Sequence, residues 1–223
     1  MNKPFIVCHM MTSIDSRIDC AMCEKLSGND EYYKTLESYN CDSYLNGRYT
    51  AEIEMSHDGK FISSNNLKLN NIDFKKNNNT NKFQIICDTK GSLKYINESS
   101  NLPYLIIVSE NVSIEFINYL NTNNISWVAC GKKKINLNKA LDILYNEFNI
   151  KSIALTGGAK LNTSFLEENL IDEISILIGS GIDARSSYPT LFDSRNVDSN
   201  IIKLRLKDCK KLNDCVWLKY TVK

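Results

Sequence analysis

Short apolar runs separated by polar turns dominate the chain, and most have the length of a buried strand. They read PFIVCHMMT (4–12), FQIICD (83–88), YLIIVSE (104–110), SWVACG (126–131) and KSIALTGG (151–158). Apolar runs of this length are typical of strands that are covered on both faces. The pattern therefore predicts a sheet whose strands form the core.

Segments of helical periodicity lie between these runs. The clearest, LNKALDILYNEF, places one apolar stripe along a helix, made of Leu137, Ala140, Leu141, Leu144, Tyr145 and Phe148. NVSIEFINYLNTNN (111–124) and SGNDEYYKTLESYN (27–40) also predict helices. Strands that alternate with helices form βαβ units, so we expect an α/β fold with a central, mostly parallel sheet flanked by helices.

The end of the chain shows a period of two. Two alternating runs, IIKLRLK (201–207) and VWLKYTV (216–222), flank a turn at Asn213-Asp214. In the second run the apolar residues Val216, Leu218, Tyr220 and Val222 fall on one side and Trp217, Lys219 and Thr221 on the other. This pattern predicts an antiparallel hairpin with one face exposed to water, so the mixed sheet ends in an antiparallel C-terminal hairpin.

The domain organisation is predicted to be simple. The stretch from Ser63 to Phe83 is rich in asparagine and has little apolar periodicity. We interpret residues 63–83 as a surface loop or partly disordered insertion. The remaining pattern is continuous and contains no internal repeat, so we expect residues 1–223 to form a single domain.

Composition narrows the classes of function. The 27 basic residues are balanced by 26 acidic ones, which gives no electrostatic case for a nucleic-acid or anionic-membrane partner. No apolar run approaches the roughly 18 residues of a membrane span, and the N-terminal segment lacks a signal-peptide pattern. We expect a soluble, cytoplasmic protein.

Eight cysteines raise the question of a metal site. Cys20 and Cys23 form a C-x-x-C pair, but the other close pair, Cys209 and Cys215, is six residues apart in a predicted hairpin. A zinc site usually combines two close pairs. We therefore predict no metal and interpret the cysteines as reduced thiols, most of them in the core.

A pair of glycines marks the first candidate for chemistry. In TGGAKL (156–161) the strand is predicted to end at Thr156, and a helix follows Gly157 and Gly158. A helix N-terminus carries free N–H groups and partial positive charge, and glycine lets an anion approach the backbone. Taken alone, this stretch is better explained by a tight turn that needs glycine only for its dihedral angles.

Other polar or small residues follow predicted strands. LNGRYT has Gly47, Arg48 and Thr50 at a strand-to-helix turn, and Ser109 and Gly131 come directly after two other strands. Ligands of open α/β sheets bind outside the carboxyl ends of the strands. The loop TSIDSRID (12–19) is also polar, although a solvated loop explains it as well as a site does.

Three of these stretches together resemble a known family. TSIDSRI, GRYT and TGGAKLNTSFLEENLIDEISILIGSGI occur in the order and spacing of the pyrimidine reductase domain of bacterial riboflavin biosynthesis and its single-domain relatives. That family has the fold of dihydrofolate reductase, and the resemblance covers nearly the whole chain. It implies an NADPH-dependent oxidoreductase that transfers hydride to a C=N or C=O group of a small heterocyclic or ribosyl-pyrimidine-like substrate. It also implies a homodimer.

The resemblance implies roles for particular residues. The cofactor would contact Thr12, Gly47, Arg48, Thr50, Ser109, Gly131, Gly157, Gly158, Ala159, Lys160 and Leu161. Within this set, Thr12 would lie beside the nicotinamide and the residues from Gly157 to Leu161 would cradle the pyrophosphate. Ser13, Asp15 and Thr156 would face the substrate, with Asp15 as the candidate catalytic residue.

The chain departs from the family at several positions. Ser16 replaces a glycine, and Thr156 stands where the riboflavin enzymes usually have glutamate. The deaminase signature is absent, and Glu52, Glu54 and His57 are candidate substitutes for the family's acidic residues. Two alternatives stay open: a reductase of a folate- or pterin-like substrate, for which Asp30 or Glu31 would have to supply a buried carboxylate, and a non-catalytic NADP-binding module.

Overall fold

The structure is a computed structural model that describes residues 2–55, 59–95 and 101–223. Its elements are β1 (Phe5–Thr12), α1 (Cys20–Cys23), α2 (Asn29–Glu37), β2 (Ser43–Gly47), α3 (Arg48–Glu54), β3 (Asp73–Lys75), β4 (Gln84–Cys87), β5 (Tyr104–Val108), α4 (Ile114–Thr122), β6 (Ser126–Ala129), α5 (Leu137–Asn146), β7 (Ser152–Leu155), α6 (Ala159–Glu167), β8 (Glu173–Ile178), β9 (Leu204–Leu212) and β10 (Cys215–Val222). Within the described ranges, none of the helices has the length and apolar character needed to cross a membrane.

The chain divides into two compact units. The first comprises Met1–Pro4 and Asp42–Ile153, and the second comprises Phe5–Cys41 and Ala154–Lys223. The chain passes from the first unit to the second within β7.

The first unit contains a sheet with the order β3-β6-β5-β4-β2. β2, β4, β5 and β6 are parallel neighbours, and β3 pairs antiparallel with β6. All five residues of β5 are buried, as predicted for a strand covered on both faces. Helix α4 packs Phe116, Ile117 and Leu120 against this sheet, and the Ser113 side chain caps the helix by accepting from Phe116 N.

The asparagine-rich segment is more ordered than its composition indicates. It contains the edge strand β3, and Asn77 donates to the start of β6 through its backbone N–H to Ser126 Oγ (3.0 Å) and through its side-chain amide to Ile125 O (2.7 Å). At its start, Ser63 and Ser64 donate to the Glu115 carboxylate. Side-chain amides and hydroxyls thus help to fix the segment, together with the buried Phe83 and the partly buried Leu69, and hydrophobic periodicity does not detect the polar part of this order.

The second unit contains a mixed sheet. β1 and β8 are parallel, β8 and β10 are antiparallel, and β10 and β9 form the antiparallel hairpin around Asn213-Asp214. The predicted α/β fold with a mostly parallel sheet and an antiparallel C-terminal hairpin is confirmed.

The two faces of the hairpin are not buried and exposed in the way that the apolar and polar alternation of β10 predicts. Trp217 is buried together with Cys215, Met11 and Leu177, and partly buried residues of α1 and α2 pack against this cluster. Val216, on the apolar side of the alternation, remains 39% exposed. The indole is therefore covered by the helices, while the aliphatic side of β10 is more open. The alternation of β10 alone does not reveal which face the helices cover.

Candidate active site

In the second unit, the two glycines between β7 and α6 have different backbone requirements. Gly157 has φ +121°, in the left-handed region that favours glycine, and the Gly157–Gly158 peptide bond is cis. Gly158 has φ −89° and ψ −173°, an extended conformation that any residue adopts. Backbone geometry thus explains Gly157 but not the absence of a side chain at Gly158.

Helix α6 begins directly after this turn. Gly158 is its N-cap and provides no side-chain cap, while its carbonyl accepts from Leu161 N (2.9 Å) and Asn162 N (3.0 Å). The first N–H groups of a helix, here at Ala159 and Lys160, have no partner within the helix and carry its partial positive charge. An uncapped, side-chain-free helix start is suited to a phosphate oxygen.

The loop after β1 is built around the Asp15 carboxylate. Oδ1 accepts from Ser13 Oγ (2.7 Å) and Asp183 N (3.0 Å), and Oδ2 accepts from Ala184 N (2.9 Å). The backbone N–H of Asp183, followed by the Ser13 hydroxyl, holds the pKa of Asp15 well below its usual range. Asp15 is therefore ionised near neutral pH and ties this loop to the segment after β8.

Two further residues fix the same loop. Ser16 has φ +67°, a left-handed conformation at the position where the resembled family has glycine. Arg17 donates through Nη1 to the Tyr188 carbonyl and forms a backbone bridge with Thr190. Thr12, at the end of β1, and Ser13 are buried beside these anchors. Thr156 is half-buried at the end of β7.

In the first unit, the predicted turn after β2 is present. β2 ends at Gly47, α3 begins at Arg48, and Thr50 lies in the first turn of this helix. Arg48 Nη1 is 2.5 Å from Glu52 Oε2, so the arginine predicted to meet a phosphate is paired with a carboxylate four residues later. Ser109, after β5, is buried and donates its hydroxyl to Thr89 O (2.8 Å).

Gly131 has a structural explanation of its own. Its N–H donates to Glu110 Oε1 (2.7 Å) and its carbonyl accepts from Glu110 N (2.9 Å). Its φ is +87°, and a Cβ atom there would lie 2.1 Å from Lys134 O. The turn into α5 therefore requires glycine at this position whether or not a ligand binds, and both backbone polar groups are already engaged.

Exposed cations that were not identified from the sequence follow two parallel strands of this sheet, β4 and β6, which lie on either side of β5. Lys90 comes after β4, and Lys132, Lys133 and Lys134 come after β6. The carboxyl ends of parallel strands lie at one edge of a sheet, which is also where Arg48 begins α3. The available signal was a basic residue within a few positions of each strand end, and it indicates an edge suited to anions.

The remaining candidates do not supply a buried acid or a metal site. Asp30 is exposed, and Glu31 accepts from Asn213 Nδ2, so neither provides the carboxylate that a pterin site requires. Glu54 is exposed, and His57 lies outside the described residues. Across residues 2–55, 59–95 and 101–223, no cluster of His, Cys, Asp and Glu has the arrangement of a metal site.

Comparison with known proteins assigns the family. Residues 4–218 match the RibD C-terminal domain family. The chain belongs to this family. The resemblance of the three sequence stretches to the riboflavin-biosynthesis reductases is thereby confirmed, and with it the interpretation of the chain as an oxidoreductase.

Individual relatives agree with the assignment. A 2,5-diamino-6-ribosylamino-4(3H)-pyrimidinone 5′-phosphate reductase from Methanothermobacter thermautotrophicus is 24% identical over 227 residues, covering 99% of each chain. One from Aquifex aeolicus is 23% identical over 93% of this chain and 91% of its own. A pyrimidine reductase-like protein from Corynebacterium diphtheriae has a TM-score of 0.69 at 17% identity, with 99% of this chain and 92% of that chain covered. The dihydrofolate reductase-like fold is confirmed.

Proposed function

We propose that this RibD-family chain is an NADPH-dependent reductase of a ribosylaminopyrimidine 5′-phosphate and that residues 1–223 act as one reductase domain. The observation that carries the proposal is the uncapped α6 N-terminus behind Gly158, within a chain that matches the family from residue 4 to 218. The curated relatives are named as reductases of such a pyrimidinone phosphate. When bound, the nicotinamide supplies a hydride for a C=N or C=O carbon of the substrate.

In the second unit, residues after β7 would hold the cofactor pyrophosphate. The N–H groups of Gly158, Ala159 and Lys160 supply the donors, and Leu161 completes the first helical turn. Gly157 gives the chain its left-handed turn at this point. Thr12, buried at the end of β1, would contact the nicotinamide through its backbone.

In the first unit, the carboxyl edge of the sheet would hold the adenosine side of the cofactor. Gly47 precedes α3 without a side chain, Arg48 supplies a guanidinium for phosphate, and Thr50 supplies a hydroxyl. Ser109 retains acceptor capacity on its hydroxyl for the adenosine. Lys90 adds a cation after the neighbouring strand, which favours the phosphorylated cofactor NADPH over NADH.

The substrate would meet the loop after β1 and Thr156. Ser13 and Thr156 offer hydroxyls, while Asp15 holds the loop in position through its three accepted hydrogen bonds. Because those bonds keep the Asp15 carboxylate ionised, the proton that accompanies hydride transfer is proposed to come from solvent. Asp15 therefore acts as a positioning group.

Turnover tests the proposal and its alternatives together. The purified chain should consume NADPH, followed by its fluorescence, when given 2,5-diamino-6-ribosylamino-4(3H)-pyrimidinone 5′-phosphate. Dihydrofolate serves as the parallel substrate. Consumption with dihydrofolate alone would favour the pterin alternative, and NADPH binding without consumption across both substrates would favour the non-catalytic module.

We also propose that the chain forms a homodimer through the outer face of β8 and β10. Ile176 and Leu218 are opposed on this face, as are Ile178 and Val216, and all four side chains remain at least partly exposed. The face is continuous with β9, where Leu206 is 55% exposed. Contiguous aliphatic surface of this kind marks an interface.

We expect light scattering to give twice the chain mass of 25.4 kDa for the wild type and a monomer for Leu218→Glu. Burying an unpaired carboxylate at the centre of an apolar interface destabilises the dimer by more than the buried aliphatic surface stabilises it. Thr122→Glu is the control, because it adds the same charge to the exposed end of α4 in the first unit and should stay dimeric. A monomeric wild type would contradict the proposal.

A further inference from the structure

A carboxylate on α3 lies between two cations of the first unit. Glu52 Oε2 is 2.5 Å from Arg48 Nη1, and Glu52 Oε1 is 3.7 Å from Lys60 Nζ. The Arg48 side chain is 43% exposed and that of Glu52 is 33% exposed, so the guanidinium is open to a ligand from solvent. The two cations and one carboxylate leave one net positive charge.

The Lys60 backbone is anchored to the loop that follows β4. Lys60 forms a backbone bridge with Leu93, and Phe61 N donates to Ser92 O (2.9 Å). The buried Asp88 carboxylate in turn accepts from Ser92 N (2.7 Å) and Leu93 N (3.0 Å). Glu52 thus connects the turn after β2 with the loop after β4, the two places where the cofactor's adenosine phosphate is proposed to lie.

The chemistry of the two nicotinamide cofactors differs at this position. NADPH carries a phosphate on the adenosine ribose, whereas NADH has a free 2′-hydroxyl. A phosphate competes with Glu52 for Arg48 and is repelled by the carboxylate, while a ribose hydroxyl can donate to a carboxylate. The Glu52 carboxylate therefore weakens the binding of NADPH, whereas it can accept a hydrogen bond from the ribose of NADH.

We propose that Glu52 is a specificity-determining residue that lowers this chain's preference for NADPH over NADH by pairing with Arg48. This inference rests on the proposed cofactor and goes further, because it assigns to Glu52 the role of weakening the binding of the 2′-phosphate beside it. An exposed i, i+4 ion pair contributes little to helix stability. Its larger effect is expected on a doubly charged ligand nearby.

The test uses cofactor fragments that differ at the 2′-phosphate. Titration calorimetry gives the Kd of 2′,5′-ADP and of 5′-AMP, which lacks only the 2′-phosphate, for the wild type, Glu52→Gln and Glu147→Gln. The control removes one negative charge from the exposed C-terminal end of α5 in the same unit. Glu52→Gln should bind 2′,5′-ADP about three- to tenfold more tightly, from removal of one carboxylate near two phosphate charges in solvent, with no gain for 5′-AMP.

The outcomes separate this inference from the proposed function. If the wild type binds 2′,5′-ADP and Glu52→Gln matches Glu147→Gln, the role of Glu52 is wrong while the cofactor proposal stands. If Glu52→Gln binds both fragments equally more tightly, Glu52 acts on anions in general and the specificity role is wrong. If the wild type binds neither NADPH nor 2′,5′-ADP, both proposals fall. Denaturant unfolding of each variant confirms that the compared proteins are folded.

Discussion

Replacing Gly158 with valine is expected to weaken NADPH binding about 100-fold, measured as a Kd by fluorescence titration. The valine side chain would stand over the first N–H groups of α6, where the pyrophosphate is proposed to rest. Loss of two charge-assisted hydrogen bonds, each contributing about 1.5 kcal/mol, corresponds to roughly this factor. Gly158 has φ −89°, so valine meets no left-handed strain there.

Gly158→Ser separates blocked binding from a weakened helix. Serine is a good N-cap residue, so its hydroxyl can accept from the first turn of α6 and keep the helix stable, whereas valine is a poor one. That hydroxyl occupies the position proposed for a phosphate oxygen. Both variants should therefore lose affinity for NADPH, while only valine should lower the free energy of unfolding. Unchanged affinity in both would mean that the glycines serve the turn alone.

The sequence predicts the strands well because burial on both faces leaves a direct signal. The runs that became β1, β4, β5, β6 and β7 are apolar and bounded by polar residues, and the structure places strands there. The four-residue helix α1 and the three-residue strand β3 carry no such signal, because neither contains a buried residue. Their order depends on neighbours that are distant in sequence.

The candidate site was predictable in position but not in detail. Sequence places Gly47, Arg48 and Gly158 at strand-to-helix turns, and the structure has them there. It does not reveal that Asp15 is held by N–H groups contributed from 168 and 169 residues further along the chain, or that Arg48 is paired with Glu52. Those contacts depend on tertiary packing, so no local pattern of residues encodes them.

The buried histidine of β1 is expected to make the stability of the protein depend on pH. His9 is fully buried and stacks on Tyr32, with ring centroids 4.9 Å apart. Nε2 lies 3.2 Å from Tyr32 O, which can only accept, and Nδ1 lies 2.8 Å from Ser175 Oγ. Trp217 Nε1 donates to the same Ser175 oxygen (2.8 Å). The network therefore assigns a neutral imidazole with its proton on Nε2, because Nδ1 accepts the serine hydroxyl.

Burial, with a smaller contribution from Lys219, lowers the pKa of His9 to about 4, against about 6.5 in an unfolded chain. Between these two values the unfolded state binds the proton and the folded state does not, so stability falls as the pH falls below about 6.5. From pH 7 to pH 5 the free energy of unfolding should drop by about 2 kcal/mol. Urea unfolding at a series of pH values measures this slope. Protonation of carboxylates with lowered pKa values, such as Glu115, lowers the free energy of unfolding further, but mainly below pH 5.

His9→Gln tests whether this residue causes the slope, because glutamine is neutral at every pH and can both donate and accept hydrogen bonds. The variant should be less stable than the wild type at pH 7. Its free energy of unfolding should, however, drop much less than that of the wild type between pH 7 and pH 5. Titration of the imidazole in the folded wild type by NMR provides the direct check, independent of the variant's stability. A His9 that titrates near pH 6.5 in the folded protein would contradict the neutral network and remove the predicted slope.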